Sequence, residues 1–550
     1  MNDFNVIVVS ILYDWIHNKY QYDSIYMYHF KKKRSGCMAF YVPFQAYYTR
    51  YSSKYGALYH ALRDEIVGNK LKQNTKLPSS RDLADQLGIS RGTVNQVYDM
   101  LIAEGYLQAD VGRGTFVVYA AGHVMYEAKV GKHIELSAWG VRVSEGVDAG
   151  GRGKEGKADL ASVQGELDGN AEDVKEQRKE RELVGLPNGR EIAFVVARPQ
   201  MEQFPREQWN RGMYEQVRQM TESPQADAHI AEGHYALREA IAVHLRRMRG
   251  IDALPERIVI VNGSMQAIAL LTQLLVNPGD PVVLERPGYQ GASRAVLAAG
   301  GVPVHAPVDE HGLIPQPWNA RLLFVTPSRQ FPTGAVLGLE RRQLLLRWAA
   351  EQGAVIVEDD YDSEFRHRGR PIEPLKVLDQ EGRVVYIGTF SKTMLQDLRI
   401  GYVVLPEALH DAFVAAKRLY EPHPTGLLEQ RSLAAFMASG GYERHLRRMR
   451  RVYASKFLLL QALLQEQLST LFEWVDSDSG LHLFGWWRGD LRTYSAYAAA
   501  CRAAGVTWTD AGNYALPPDR AGVCFGFAHL TEAEIKQGIT LLNSISEGFS

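Results

Sequence analysis

Lys392 and Asp359 are of the right type and spacing to share a reactive centre. Lys392 follows the apolar run Val384-Val-Tyr-Ile387 and Gly388, and Asp359 closes a second run, Ala354-Val-Ile-Val357, 33 residues earlier. Both runs have the length and branched character of a buried strand. Each therefore delivers a polar residue at or just past a strand's carboxyl end, the edge at which open α/β sheets hold ligands. An amine and a carboxylate brought there together are the two protein groups that pyridoxal 5′-phosphate needs. The amine forms a Schiff base and the acid pairs with the pyridinium nitrogen. Asp359 and Asp360 compete for the second role.

A phosphate needs an anion site. Val261-Asn-Gly-Ser-Met-Gln266 reads as a strand, a tight glycine turn and a helix start. A helix N-terminus offers unpaired N–H groups and the positive end of its dipole. Many βα turns share this pattern, so alone it is a weak signal. Arg399, seven residues after Lys392, adds a charge able to grip a phosphate bidentately, and Ser391 adds a hydroxyl.

The elements that must position these groups occupy residues 190–550. Strand signals at 257–261, 281–284, 302–308, 322–326, 355–357 and 384–387 alternate with helix signals at 264–276 and 292–299. That alternation predicts βαβ units and a mostly parallel sheet. After about Pro406 helices return, 444–467 among them, with strand patterns at 480–487 and 523–528. These suit a small C-terminal α+β subdomain.

Residues 51–120 offer a different chemistry. Apolar positions Leu58, Leu62 and Ile66 give a first amphipathic helix. Ser79 or Ser80 can cap a short second helix that Gly88 ends. Ser90 caps a third, running to Glu104. Two helices joined by a glycine turn form a helix-turn-helix, whose second helix enters the major groove. Two strands around Gly112 and Gly114 make a wing. Arg91 can pair with a guanine edge, while Arg81 and the wing amides can hold phosphates.

These motifs resemble known families. Leu77-Pro-Ser-Ser-Arg-Asp-Leu-Ala84, Ser90-Arg-Gly-Thr-Val94, Glu104-Gly-Tyr-Leu107 and Gly112-Arg-Gly-Thr-Phe-Val117 resemble the GntR-type winged helix. The resemblance implies contacts with double-stranded DNA from Arg81, Ser90, Arg91, Thr93, Asn95, Gly112, Arg113 and Gly114. Glu285-Arg-Pro-Gly-Tyr289, Thr326-Pro-Ser-Arg-Gln-Phe-Pro-Thr-Gly334, Glu358-Asp-Asp-Tyr-Asp-Ser-Glu-Phe-Arg366 and Gly388-Thr-Phe-Ser-Lys392 look like the fold type I, class I aminotransferase domain. Joined, the two look like the MocR branch of the GntR regulators.

By that resemblance Lys392 forms the internal aldimine with pyridoxal 5′-phosphate and Asp359, favoured by the matched motif, takes the ring nitrogen. Tyr361 faces the phenolic oxygen. Gly263, Ser264, Met265, Ser391 and Arg399 hold the phosphate, and Tyr289 and Gln330 lie near the ring. It implies a cytoplasmic, head-to-tail homodimer that regulates transcription by sensing the cofactor or a small amino compound. The alternative is a working aminotransferase with an accessory DNA-binding head. Four departures from the family stand out. Arg329 replaces a common histidine, no proline stands near Gln396, Ala228-His229 precedes Gly233 where a tyrosine is frequent, and Val523-Cys524 lacks the arginine that clamps a substrate carboxylate.

The fold class expected is thus α/β: an N-terminal winged helix-turn-helix, then a large aminotransferase-like domain with its C-terminal subdomain. The expected divisions are a poorly ordered extension at 1–50, the winged helix at 51–120, a flexible linker at 121–190 and the large domain at 191–550. Glycine and mixed charge crowd 146–190, which cannot offset its ordering entropy. Residues 134–141 are the part of the linker that can dock on the body. The basic run Lys31-Lys-Lys-Arg34 reads as an arm or as sequence ahead of a start nearer Met38. A net charge of −1 excludes nothing about partners, so local patches carry that argument. Three cysteines, without metal spacing, argue against a disulfide framework and against a metal site. No apolar run is long enough to span a bilayer, and 6–11 lacks the basic flank of a signal peptide. Arg366 and Glu364 are expected to pair locally, and Arg444 to Arg451 to form a solvated helix face.

Overall fold

The computed structural model describes residues 40–51, 53–68, 70–110, 113–119, 134–146, 191–196, 198–222, 231–368 and 373–549. It divides into two compact units at residue 122.

The first unit is built on four helices, α1 (Phe44–Tyr51), α2 (Lys54–Val67), α3 (Ser80–Leu87) and α4 (Arg91–Ala103), and a hairpin of β1 (Leu107–Asp110) and β2 (Gly114–Val117). Ser79 caps α3 by accepting from the Asp82 amide. Gly88 ends it in the left-handed region at φ 64°, and Ser90 caps α4 by accepting from the Thr93 amide. Leu58, Leu62, Leu83, Val94, Val97 and Leu101 come together as the core. Burial of each such side chain contributes roughly 1.5–3 kcal/mol. The wing strands pair antiparallel, Leu107 opposite Val117 and Asp110 opposite Gly114.

Order begins earlier than the sequence suggests. Residues 1–39 lie outside the described residues, but α1, inside the expected extension, packs on α2. Phe44 is buried and the Tyr47 hydroxyl donates to Asp64 at 2.7 Å. Its tyrosines give it an apolar face that its short length hides from any helical count.

The second unit begins with α5 (Ala138–Gly146), β3 (Ile192–Phe194), α6 (Arg206–Glu222) and α7 (Tyr235–Arg249). Then come β4 (Ile258–Val261), α8 (Ser264–Leu275), β5 (Pro281–Arg286), α9 (Gln290–Ala298), β6 (Val302–Asp309), β7 (Gly312–Leu313) and β8 (Leu322–Val325). α10 (Leu339–Gln352), β9 (Val355–Asp360), β10 (Val384–Thr389) and β11 (Gly401–Val404) complete the large sheet, in the order β4-β11-β10-β9-β8-β5-β6-β7. All its neighbours are parallel except at β11 and at the edge strand β7. Buried on both faces, strands such as β4 and β8 are continuous apolar runs, as expected of a covered parallel sheet.

After α11 (Glu407–Tyr420), α12 (Leu427–Ala438) and α13 (Gly441–Gln467), a second sheet forms. It comprises β12 (Phe472–Trp474), β13 (His482–Trp487), β14 (Val506–Asp510) and β15 (Gly522–Gly526), with β3 at its edge. α14 (Leu491–Ala503) and α15 (Glu532–Ser546) cover it.

α5 lies within the stretch read as a linker and is docked on the body. The Ser137 hydroxyl donates to the Gln273 carbonyl at 2.5 Å. The Ala138 amide donates to Asn277 at 2.8 Å, and Trp139 stacks on Tyr420. Gly140 allows the approach, since a Cβ there would stand 2.8 Å from the Leu274 carbonyl oxygen. Residues 121–133 and 147–190 lie outside the described residues. Arg366 does not pair with Glu364. Its partner is Asp478, far along the chain, and Arg450 donates to the Glu364 carbonyl. On α13, Arg444, Arg447 and Arg451 are exposed, while His445 and Met449 face inward.

Candidate functional site

β9 and β10 are parallel neighbours, with Ile387 opposite Asp359 and Gly388 opposite Asp360. The two expected residues therefore leave the sheet at one edge. Gly388 is required there because a Cβ would overlap the Tyr402 ring. Lys392 is half-buried, and burial pulls its amine down to about 8 against the opposing pull of Asp362 and Asp359. An amine so placed holds about a tenth of its population neutral at pH 7, the form that attacks a carbonyl carbon.

The two aspartates differ in their surroundings. Asp360 is engaged: Arg249 approaches it at 2.7 Å and the Tyr386 hydroxyl donates to it at 2.6 Å. Asp359 Oδ1 is buried and has no hydrogen-bond partner among the described residues. Burial first, then the charge of Asp360, push the Asp359 carboxyl up to about 7, while Lys392 pulls it down. A buried acceptor left unpaired costs free energy. A pyridinium N–H is the donor that would satisfy it and hold it ionised.

The candidate phosphate cradle lies at the start of α8. Gly263 takes φ 79°, and α8 has no side-chain N-cap, so no side chain covers its first N–H groups, though that of Gln266 donates to the Gly263 carbonyl. A Cβ on Gly263 would stand 2.7 Å from Arg399 Nη2, so glycine is what lets the guanidinium close over the turn. Arg399 reaches it from a left-handed backbone at φ 50°. Ser391 accompanies it, its hydroxyl 3.1 Å from that of Thr389. These residues fit a bound pyridoxal phosphate. Gly263→Ala is expected to weaken its binding about tenfold or more, since alanine at that φ costs roughly 1–3 kcal/mol and its methyl displaces Arg399. A spectral titration with the cofactor measures the loss.

The ring side is aromatic. Phe331 meets Tyr289, Tyr361, Tyr514 and His482 edge-on, at 4.7 to 6.2 Å between ring centres. Met265 and Tyr289 both border Gly291, where a Cβ would overlap either side chain. Gln330 is brought close but its amide is already committed. It donates to the Pro287 carbonyl at 2.8 Å and accepts from the Thr333 amide and hydroxyl. It shapes the loop from inside.

Sequence reasoning passes over the buried Arg249 and marks the buried Arg329 only as a departure from the family pattern. Arg249 ties Asp360 to Ser328, and Arg329 donates to Tyr361. Both are long-range partnerships with no local signature. Where a carboxylate clamp is absent, Cys524 is buried with Phe484, Ala511 and Leu516. Arg520, the nearest arginine in sequence, lies over the Trp486 ring at 4.0 Å. Ala228-His229 lies outside the described residues.

In the first unit, Arg81, Ser90, Arg91, Asn95, Arg113 and Gly114 are exposed on α3, at the start of α4 and on the wing. Arg91 Nε lies 3.4 Å from the Ser80 hydroxyl, a weak tether. Thr93 is half-buried and its hydroxyl pairs with that of Ser90, so it serves the cap first. Gly112 lies outside the described residues. Lys76, not singled out from sequence, is exposed and bridges to Phe116 beside the wing. Only the fold reveals it, because it precedes the helix-turn-helix pair in the chain and meets the hairpin through a single bridge to Phe116.

Two family models match. Aminotransferase class I and II matches residues 227–542, and bacterial regulatory proteins, gntR family, matches 54–117. The chain is 35% identical over 499 residues to the probable rhizopine catabolism regulatory protein MocR of Rhizobium meliloti, covering 88% of this chain and 92% of that one. It is 30% identical over 423 residues to the pyridoxine biosynthesis transcriptional regulator PdxR of Corynebacterium glutamicum, covering 76% and 80%. Among solved structures, the kynurenine aminotransferase of Pyrococcus horikoshii superposes with a TM-score of 0.61 at 26% identity, covering 69% of this chain and 96% of that one.

Proposed function

The chain belongs to the MocR-type regulators, a gntR-family winged helix joined to a class I and II aminotransferase domain, and from that premise we propose that it is a transcriptional regulator responding to pyridoxal 5′-phosphate, or to an amino compound through it, at Lys392. Its relatives over most of its length are helix-turn-helix regulators. The observation that carries the cofactor reading is the orphaned Asp359 Oδ1 at the strand end beside that of Lys392. When bound, the cofactor supplies an aldehyde that condenses reversibly with primary amines.

The residues would divide the work between them. Asp359 accepts from the ring nitrogen. Arg399, Ser391 and the Gly263–Ser264–Met265 turn hold the phosphate. Tyr289 and Phe331 wall the ring against water. Lys392 holds the cofactor and can yield it to an incoming amine. Sensing is favoured over turnover because the wall at Cys524 is apolar and Arg520 is engaged with Trp486. Arg329, the cation that faces Cys524, is already engaged by Ser479, His482, Tyr361 and Asp362, so among the described residues no uncommitted cation stands there to orient a substrate carboxylate, and orientation is a large share of catalysis.

The regulator acts in the cytoplasm on double-stranded DNA, as a head-to-tail homodimer that reads paired half-sites. An effector shifts DNA binding only by its differential affinity for two arrangements of the protein. Among the described residues no helix is long and apolar enough to cross a membrane.

The test compares operator binding by the full chain with and without pyridoxal phosphate and a panel of amines, beside a transamination assay. Cofactor-dependent DNA binding without sustained turnover is expected. Steady transamination would establish the enzyme instead. Arg91→Ala is expected to cost about 1–3 kcal/mol of specific binding. An unchanged footprint would remove Arg91 from the base-reading set.

A further inference from the structure

Arg329 is almost wholly buried in the body, and its guanidinium is fixed on several sides. Nε donates to the Ser479 carbonyl at 3.0 Å and Nη2 to the His482 carbonyl at 2.7 Å. Nη1 donates to the Tyr361 hydroxyl at 2.9 Å and lies 3.4 Å from Asp362 Oδ2. The His482 ring completes the cage. Its Nε2 lies 2.9 Å from the Pro332 carbonyl, which fixes the proton there and leaves Nδ1 to accept from Nη1 at 3.3 Å. Gly480, at φ 85°, leaves the space the guanidinium fills, since a Cβ would overlap it. A cation held so firmly can hold a neighbour in turn.

What it holds is the Tyr361 oxygen. A guanidinium has only donors, so the phenol must accept from it. The phenol proton is then left for another acceptor, and among the described residues none takes it. We propose that Arg329 is a positioning residue for Tyr361, fixing the phenol by its oxygen and leaving its proton as the donor toward the phenolic oxygen of the bound cofactor. This rests on the cofactor reading above and adds to it a residue outside the expected set.

The charges agree. Burial raises the Tyr361 phenol well above its usual range, while Arg329 opposes that through its charge and its hydrogen bond. The phenol thus stays protonated and becomes a stronger donor, as hydrogen bonds assisted by a charge are stronger. The groups facing this point are Asp359 and Asp362, at and just past the end of β9, with Lys392 facing those two carboxylates from beyond β10. His482 from β13 and Cys524 from β15 close the set.

The test tracks the absorbance of the full chain loaded with pyridoxal phosphate as pH is varied, in wild type, Arg329→Gln, Tyr361→Phe and the double variant. A weaker donor stabilises the cofactor's phenolic anion less, so the midpoint of the colour change moves up. Arg329→Gln and Tyr361→Phe are each expected to raise it by about one pH unit, a tenfold change in proton affinity. Added to Tyr361→Phe, Arg329→Gln is expected to change affinity by less than about threefold more. An undiminished shift in the Tyr361→Phe background would mean that Arg329 acts only through space, and no shift in the single variant would mean that it is only structural. Either result overturns the proposal. If Arg329→Gln does not fold by circular dichroism, Arg329→Lys, which keeps the charge beside Asp362, carries the same test with a smaller shift expected. A wild-type chain that takes up no coloured cofactor would sink the cofactor reading itself, which separates the two failures.

Discussion

Lys392→Ala is expected to abolish the visible band of the cofactor-loaded protein and to leave nothing that borohydride can fix to the chain. Residual binding falls to what Asp359 and the phosphate cradle hold without a covalent link, a loss on the order of 100-fold or about 2.7 kcal/mol. The fold should survive. Lys392 is a partly desolvated cation drawn down to about 8 by burial, and alanine removes that cost while leaving a pocket already open to ligand. Thermal unfolding of the cofactor-free variant should match or slightly exceed the wild type. A fixable band that persists in the variant would place the reactive amine elsewhere.

Arg249→Leu is expected to produce the largest loss of stability, about 3–5 kcal/mol. It strands Asp360, which is buried and paired with that guanidinium at 2.7 Å. The same removal frees Ser328, whose hydroxyl the guanidinium holds at 2.8 Å. The double variant Arg249→Leu/Asp360→Leu should be much less unstable than the single one, because no unpaired charge remains. Urea unfolding of the body measures both. A single variant within about 1 kcal/mol of wild type would show that the pair is dispensable. Asp360 is adjacent to Asp359, so this ion pair would also keep the second carboxylate out of the ring-nitrogen role proposed for Asp359.

Local period made part of this legible. The β-branched runs at 355–357 and 384–387 set where two strands end, and parallel strands deliver the residues beyond those ends to one edge of the sheet. The capping serines Ser79 and Ser90 and the turn at Gly88 set the head helices for the same reason. What escaped was long-range pairing. Asp360 finds its arginine 111 residues earlier in the chain, Arg366 finds Asp478 112 residues later, and Arg329 meets His482 153 residues away. No window of sequence contains both partners. The motif places Gln330 near the ring, yet its amide is engaged by Thr333 in its own loop and by the Pro287 carbonyl from the loop after β5, which only the folded chain reveals.

The docked helix α5 sets the leash of the DNA-binding head. Only residues 120–133, fourteen in all, join the last described residue of the head to the segment fastened on the body. Fully extended, that length reaches no more than about 50 Å. By chain order the glycine-rich stretch 147–190 lies between two elements of one unit, α5 and β3, and is an insertion within the body and not the connection between the two units.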